Sequence, residues 1–361
     1  MTSHPSKEII SNLYVAGKPQ VAWTTLIADL ETPVSAMLKL ADGRSNSFLL
    51  ESVEGGKVRG RFSIIGMNPD IIWNFKKKIA QINRRARINT DEFETCPEEP
   101  LQSLRALVSE SRIELPKNLP PMASGLFGYM GYDSVRLSED IPDRNPDDLM
   151  VPDGLFLRPS LICIFDRLED IVTIVTPIWP DRGVSASSAY EAAMTRLNDA
   201  TADFQTSLPY RRERSSDHEN INDPTSNTTQ NEFHDMVNKA KEYINAGDIF
   251  QVVPSQRFSV PFTRPPVSLY RSLRRLNASP YLFFFAFGEF SIVGSSPEIL
   301  VTLRDNTVTL RPLAGTRPRG KNAEEDKVLA KELLEDPKER AEHLMLLDLG
   351  RNDVGRVSKI G

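Results

Sequence analysis

"LICIFDRLEDIVTIVTPIW" (Leu161 to Trp179) decides the architecture of this chain. Two runs rich in Ile, Val, Phe and Thr, each of strand length, flank a polar turn near Arg167 to Asp170. Strand follows strand with no room for a helix between them. Upstream, "SFLLESV" (Ser47 to Val53) and "GRFSIIGMNP" (Gly60 to Pro69) are β-branched and aromatic runs bounded by "EGG" and by Asn68-Pro69. "LQSLRALVSES" (Leu101 to Ser111) carries Leu101, Leu104 and Val108 at helical spacing.

Beyond the hairpin, composition shifts. Residues 205–229, "QTSLPYRRERSSDHENINDPTSNTT", are polar and poor in large apolar side chains, which reads as a linker or long surface loop. Its basic run Arg211 to Arg214 reads as a solvated patch. Residues 1–204 therefore form a sheet-rich N-terminal lobe, and 230–361 begin a second domain. That domain opens with a helix in "NEFHDMVNKAKEYINAGD", where Phe233, Met236, Val237, Ala240, Tyr243 and Ile244 recur at steps of three and four and Gly247 ends the helix. Strands are expected in "IFQVVPSQRFSV" (Ile249 to Val260), "YLFFFAFGEFSIVG" (Tyr281 to Gly294), "ILVTLRD" and "TVTLRPL", the last two joined as a hairpin by Asp305-Asn306. Adjacent strands followed by helices predict an α+β protein, not a βαβ alternation.

Composition excludes several classes. The 361 residues carry 44 Lys+Arg against 49 Asp+Glu, a net charge of −5, which is not the basic excess of a general nucleic-acid binder. Two cysteines, Cys96 and Cys163, are too few for a disulfide framework or a zinc site, and both are expected to be buried. "MTSHPSKEII" lacks a signal-peptide core, and the longest apolar run, Tyr281 to Phe287, is too short to span a bilayer. A cytoplasmic protein without membrane or nucleic-acid partners is expected. The histidines His4, His218, His234 and His343 are isolated, and neither a P-loop nor a GxGxxG is present.

Two neighbouring segments carry chemistry. "RPLAGTRPRG" (Arg311 to Gly320) packs three arginines, two glycines and two prolines into ten residues at the exit of a strand. Glycine admits close backbone approach and arginine grips planar anions, so the loop faces an anion. Then "DPKERAEHLMLLDLG" starts a helix with Asp336 as N-cap and Pro337 at the first position. Glu339 and Glu342 share a face that continues through Leu346 and Leu349. Two readings stand: Glu339 completes a capping box while Glu342 pairs with an arginine, or the two half-buried carboxylates hold a hard cation such as Mg²⁺.

Together these pieces, with "ASGLFGYMGYD" (Ala123 to Asp133), "GDIFQVVPSQR" (Gly247 to Arg257) and "GSSPEIL" (Gly294 to Leu300), resemble the chorismate-utilising enzymes, specifically the anthranilate synthase component I family. The likeness runs from about Leu49 to the last residue. It implies a two-lobed fold of largely antiparallel sheets with helices outside, and a reaction of chorismate with ammonia that yields anthranilate and pyruvate, the first step of tryptophan synthesis. By resemblance Gly315 and Thr316 hold the substrate, and Glu342, with Glu339 beside it, binds Mg²⁺. The family's aminodeoxychorismate synthases carry a nucleophilic lysine where this protein has Ala314, and its isochorismate and salicylate synthases carry a water-activating lysine where it has Gln251. Those two positions therefore favour the anthranilate branch.

No glutaminase cysteine and histidine are recognisable, so ammonia would come from a separate glutamine amidotransferase subunit. "LLES" and "NASPYLFF" resemble the two halves of a tryptophan feedback site, with Glu51 or Ser52 meeting polar groups and Pro280, Tyr281 and Leu282 flanking the indole. Ala278 and Leu282 depart from the commoner Pro and Met. Family members also continue past Gly361 into a second metal glutamate and further site residues. By that likeness the sequence is truncated at its carboxyl end and, alone, inactive. The rival readings are an aminodeoxychorismate synthase-like enzyme and a non-catalytic truncated remnant that binds tryptophan.

Overall fold

The structure, a computed structural model, describes residues 3–41, 43–54, 58–208 and 223–359. Along the chain run α1 (Lys7–Val15), β1 (Gln20–Ile27), α2 (Pro33–Ala41), β2 (Ser47–Glu54), β3 (Val58–Lys76), β4 (Ile79–Asn83), β5 (Glu94–Thr95), α3 (Pro100–Glu110), β6 (Phe127–Met130), β7 (Gly154–Asp166), β8 (Ile171–Ile178) and α4 (Ala186–Phe204). Then follow β9 (Thr225–Ser226), α5 (Gln230–Ala246), β10 (Phe258–Ser259), α6 (Pro266–Leu276), β11 (Tyr281–Ala286), β12 (Ser291–Ser296), β13 (Thr302–Arg304), β14 (Thr307–Thr309), α7 (Ala323–Glu335) and α8 (Pro337–Val357).

The hairpin expected from Leu161 to Trp179 is β7–β8, antiparallel, with Asp166 paired to Ile171. Its turn is an Asx turn: Leu168 N donates to Asp166 Oδ1 at 3.1 Å, and Asp170 takes positive φ. Around it a sheet runs in the order β1-β8-β7-β3-β2-β11-β12, with β4, β5 and β6 attached at its side, and every pairing is antiparallel. β7 is buried along nearly its whole length, as a strand covered on both faces must be. The fold is the expected α+β class.

β3 corrects one expected boundary. The strand does not stop at Asn68-Pro69 but runs on to Lys76. Asn68 takes φ 51°, and the register against β7 shifts between Pro69 and Ile71. Proline cannot donate to a ladder, and a bulge is where a strand can hold it.

Two compact units divide the chain: residues 1–209 with 269–361, and residues 210–268. The division expected at 205–229 is thus not the one found, because β11 pairs with β2 and so draws 281–286 into the first sheet. Residues 209–222, including Arg211 to Arg214 and His218, lie outside the described residues, as does Gly361. At the linker's far end Thr229 and Glu232 form a capping box at the start of α5, and Gly247 ends it at φ 81°. Of the strand expected over Ile249 to Val260, only Phe258 and Ser259 pair, with Thr225 and Ser226. The Asp305-Asn306 hairpin is present, both residues at positive φ.

The first unit's core includes Phe48, Leu49, Ile65, Trp73 and Ile162, all essentially inaccessible. Trp73 Nε1 donates to Ser103 Oγ at 2.9 Å and ties α3 to the sheet. Cys163 is buried as expected, and burial pushes its thiol up to about 12; Cys96 is only half-buried. No helix among the described residues is long and apolar enough to cross a membrane.

Candidate active site

The arginine loop spans residues 310–322, between β14 and α7. Polar devices cap the two helices that follow it. Asn322 caps α7, accepting from Glu324 N and Glu325 N, and Asp336 caps α8, accepting from Lys338 N and Glu339 N. From the loop, Arg317 reaches the second cap. Its Nη2 donates to Asp336 at 2.7 Å, its Nη1 to Glu339 at 3.2 Å and its Nε to Glu332 at 3.2 Å. One guanidinium thus fixes the end of α7 and the first turn of α8. These bonds, that to Glu339 foremost, raise the pKa of Arg317. The Glu339 backbone N–H, with Lys338 N–H and Arg317, holds Asp336 below its ordinary range.

The expectation for the arginines changes accordingly. Arg317 and Arg319 bind the protein's own carboxylates, Arg319 reaching Asp326 at 2.8 Å. Arg311 is exposed and makes no ion pair among the described residues. The capping box expected at Glu339 does not form, since the Asp336 N–H donates to Glu332 O and Glu339 turns to Arg317. That carboxylate packs on Gly315, where a Cβ would overlap it and push the Glu339 side chain aside. Gly315, Glu339 and Arg317 are therefore brought together. Ala314 is half-buried and Thr316 exposed, on the same loop.

Glu342 is half-buried and, among the described residues, has no ion pair, so it does not pair with an arginine. Leu346 is half-buried and Leu349 exposed; the half-buried stripe of α8 runs from Glu339 and Glu342 through Leu346 to Gly350 and Val354, and no residue of the helix is fully buried. No group of three or more His, Cys, Asp or Glu stands ready for a metal among the described residues. Oxygen donors in the number of one or two are nonetheless what Mg²⁺ ordinarily takes from a protein, with water and substrate completing its shell. Gln251 is exposed and belongs to the unit of residues 210–268.

A second polar centre surrounds Glu51. Register places Glu51 of β2 directly opposite Leu282 of β11, so "LLES" and "NASPYLFF" do meet. The Glu51 side chain, however, is 1% exposed and fully committed. It accepts from Arg274 Nε at 2.5 Å and Nη2 at 2.9 Å, from Arg167 Nη2 at 2.7 Å and from Tyr270 Oη at 2.7 Å. Burial, then the Glu51 charge, drives the Tyr270 hydroxyl pKa far up. Leu282 is buried, Tyr281 is 40% exposed, and Pro280 and Ser52 are half-buried. Gly60 makes room for Ser52, since a Cβ there would overlap the serine side chain. Arg167, Tyr270 and Arg274 escaped the sequence reading. The one available signal was Tyr270 and Arg274 at i and i+4 on a short amphipathic helix.

Residues 47–361 match the family of chorismate binding enzymes. The protein belongs to that family. It is 53% identical over 346 residues to anthranilate synthase component 1 of Cereibacter sphaeroides, covering 96% of this chain and 69% of the relative. Against the Aquifex aeolicus protein of the same name it is 41% identical, covering 94% and 67%. Among solved structures, anthranilate synthase component I from Streptococcus pneumoniae aligns with a TM-score of 0.69 at 33% identity, over 83% of this chain and 62% of that one. The menaquinone-specific isochorismate synthase of Escherichia coli, at 14% identity and a TM-score of 0.56, shares the fold. This member of the chorismate-binding family spans about two thirds of these relatives' length.

Proposed function

We propose that the protein is the greater part of an anthranilate synthase large subunit, converting chorismate and ammonia to anthranilate, pyruvate and water. The observation that carries this reading is Ala314, beside Gly315 in the loop that the Glu339 carboxylate closes over. A lysine at 314 would supply an amine to the ring; alanine supplies none, so ammonia itself forms the new C–N bond. The ring hydroxyl then leaves as water. Loss of the ring proton and of the enolpyruvyl group as pyruvate restores aromaticity.

In this reading Gly315 lets the substrate reach the loop backbone and the Thr316 hydroxyl donates to it. Arg317 acts at one remove, holding Glu339 and the start of α8 where the loop needs them. Glu342, free of any ion pair among the described residues, supplies a ligand for Mg²⁺, with Glu339 beside it. When bound, the ion would neutralise a substrate carboxylate and polarise the ring. Gln251, neutral, cannot activate water, which disfavours a hydroxylated product. Ammonia comes from a glutamine amidotransferase subunit, and the protein works in the cytoplasm. Ser52, Pro280 and Tyr281 line a site for tryptophan as feedback inhibitor. Leu282 and Glu51 support that site from within.

The test is anthranilate fluorescence from the full natural reading frame, given chorismate, Mg²⁺ and ammonium salt. Fluorescence that disappears in Glu342→Ala supports the reading. Consumption of chorismate to a non-fluorescent aminated product would place the protein on the aminodeoxychorismate branch and refute it.

A further inference from the structure

The motif Ala123 to Asp133 remains outside the site described above, and it borders a cavity of about 490 Å³ in the unit of residues 1–209 and 269–361. The cavity lies at a seam between two core clusters. Leu104, Leu126 and Phe156 pack on the cluster around Trp73, and Ile113 and Leu115 on the cluster around Trp23. Its size is that of a small-molecule site, and its wall is mostly apolar, with few polar groups.

Two of those polar groups have nothing to bind. Ser124 Oγ is buried without a hydrogen-bond partner among the described residues, an arrangement that costs free energy unless something else accepts its proton. Arg112 is exposed at the lining, and its guanidinium makes no ion pair or hydrogen bond among the described residues. Other charges nearby are satisfied: Glu110 pairs with Arg84 at 2.7 Å, and Arg158 pairs with Asp70 at 2.8 Å while donating to Ser111 Oγ. Gly125, next to Ser124, holds φ at 147°, and only Phe127 approaches the place of a side chain there, at 4.0 Å.

We propose that this cleft binds a small amphiphilic monocarboxylate. A ring system or branched aliphatic body fills the space between Leu104, Ile113, Leu126 and Phe156, the carboxylate pairs with Arg112, and Ser124 Oγ donates to it. Among the described residues of the lining, one free cation and one free hydroxyl match one carboxylate. A dicarboxylate would leave its second charge against apolar wall.

The experiment is methyl NMR of the protein, with naphthylacetate as probe and naphthylacetamide as its uncharged counterpart. Naphthylacetate is expected to shift the methyls of Leu104, Ile113, Leu115 and Leu126 together. Arg112→Gln, on an exposed side chain, should leave the spectrum of the free protein intact and weaken binding about tenfold, the scale of one charge-assisted pair. Ser124→Ala should weaken it a few-fold. Naphthylacetamide should bind the native protein no better than naphthylacetate binds Arg112→Gln. Absence of shifts at millimolar probe, shifts confined to other methyls, or equal affinity for acid and amide would each overturn the proposal. The first of these would leave an apolar side chain of a partner protein as the better occupant.

Discussion

The sheet up to residue 208 and the helices α7 and α8 use their apolar residues in opposite ways. In the sheet, Phe48, Leu49, Ile65 and Trp73 are inaccessible, because each strand finds its cover in another strand or helix of the same molecule. In α7 and α8, Leu334, Leu344, Leu349 and Val357 are all more than half exposed, and neither helix buries a single residue. What holds these helices is polar and local: the caps at Asn322 and Asp336 and the fork of Arg317. The sheet is a packed body. The loop and helices that carry the candidate active site are positioned by hydrogen bonds at their N-termini.

The largest effect that tests this contrast is expected at Trp73. Trp73→Ala removes a fully buried side chain and leaves Ser103 without its partner, so urea unfolding should show a loss of about 3–5 kcal/mol. A loss under about 1 kcal/mol would mean the sheet is not the packed body described.

Glu51→Gln comes next. It removes the charge that compensates Arg167 and Arg274, and breaking a buried ion pair costs about 3 kcal/mol or more. In the proposed feedback site this variant tests a finer point. If Glu51 acts only by holding α6 and β11 in place, tryptophan affinity should fall in proportion to stability, and Tyr270→Phe should reproduce part of both losses. Abolished tryptophan binding with unchanged stability would instead make Glu51 a direct contact.

How much of this was legible in the sequence follows the same contrast. The hairpins β7–β8 and β13–β14 and the start of α8 were readable, because each is written in a short window: alternation, an Asp-Asn pair, an Asp-Pro start. β3 was cut short at Pro69, since the bulge that accommodates it depends on β7, some ninety residues on. Ile249 to Val260 reads as a strand because apolar β-branched residues look alike whether or not a partner strand exists; among the described residues only Phe258 and Ser259 have one. Glu51 was legible as important, but its partners lie 116 to 223 residues away, and no local pattern announces them. At the candidate active site the loop and the helix start were readable. The turn of Arg317 inward was not, because three arginines in a loop look equally available until the fold assigns their carboxylates.

A smaller effect is expected at Leu349. Leu349→Ala removes an exposed side chain, and stability should change by no more than about 0.5 kcal/mol in this protein. A destabilisation near that of Trp73→Ala would show that the Leu349 side chain is covered in solution, by a second copy or by another part of the protein; sedimentation of the same sample separates the two, a dimer marking the copy.

The smallest effect is a local one. Asp336 titrates below its ordinary range, chiefly because the Glu339 backbone N–H donates to its charged form, with Arg317 adding to this. A depressed folded-state pKa means the capping contribution is fully present above the unfolded-state value, ~3.9 for aspartate, and is lost as pH falls through the lower, folded-state value. Arg317→Met keeps the cap and removes the cation, so the pKa should rise only part of the way back, and the amide signals of Lys338 and Glu339 should keep their hydrogen-bonded shifts. Carbon-detected carboxylate titration reads both. A full return to the ordinary value would show that the Arg317 fork, not the cap, orders the start of α8. No change at all would show that the fork is not populated in solution, and the loop would then lose the one contact that holds Glu339 against Gly315.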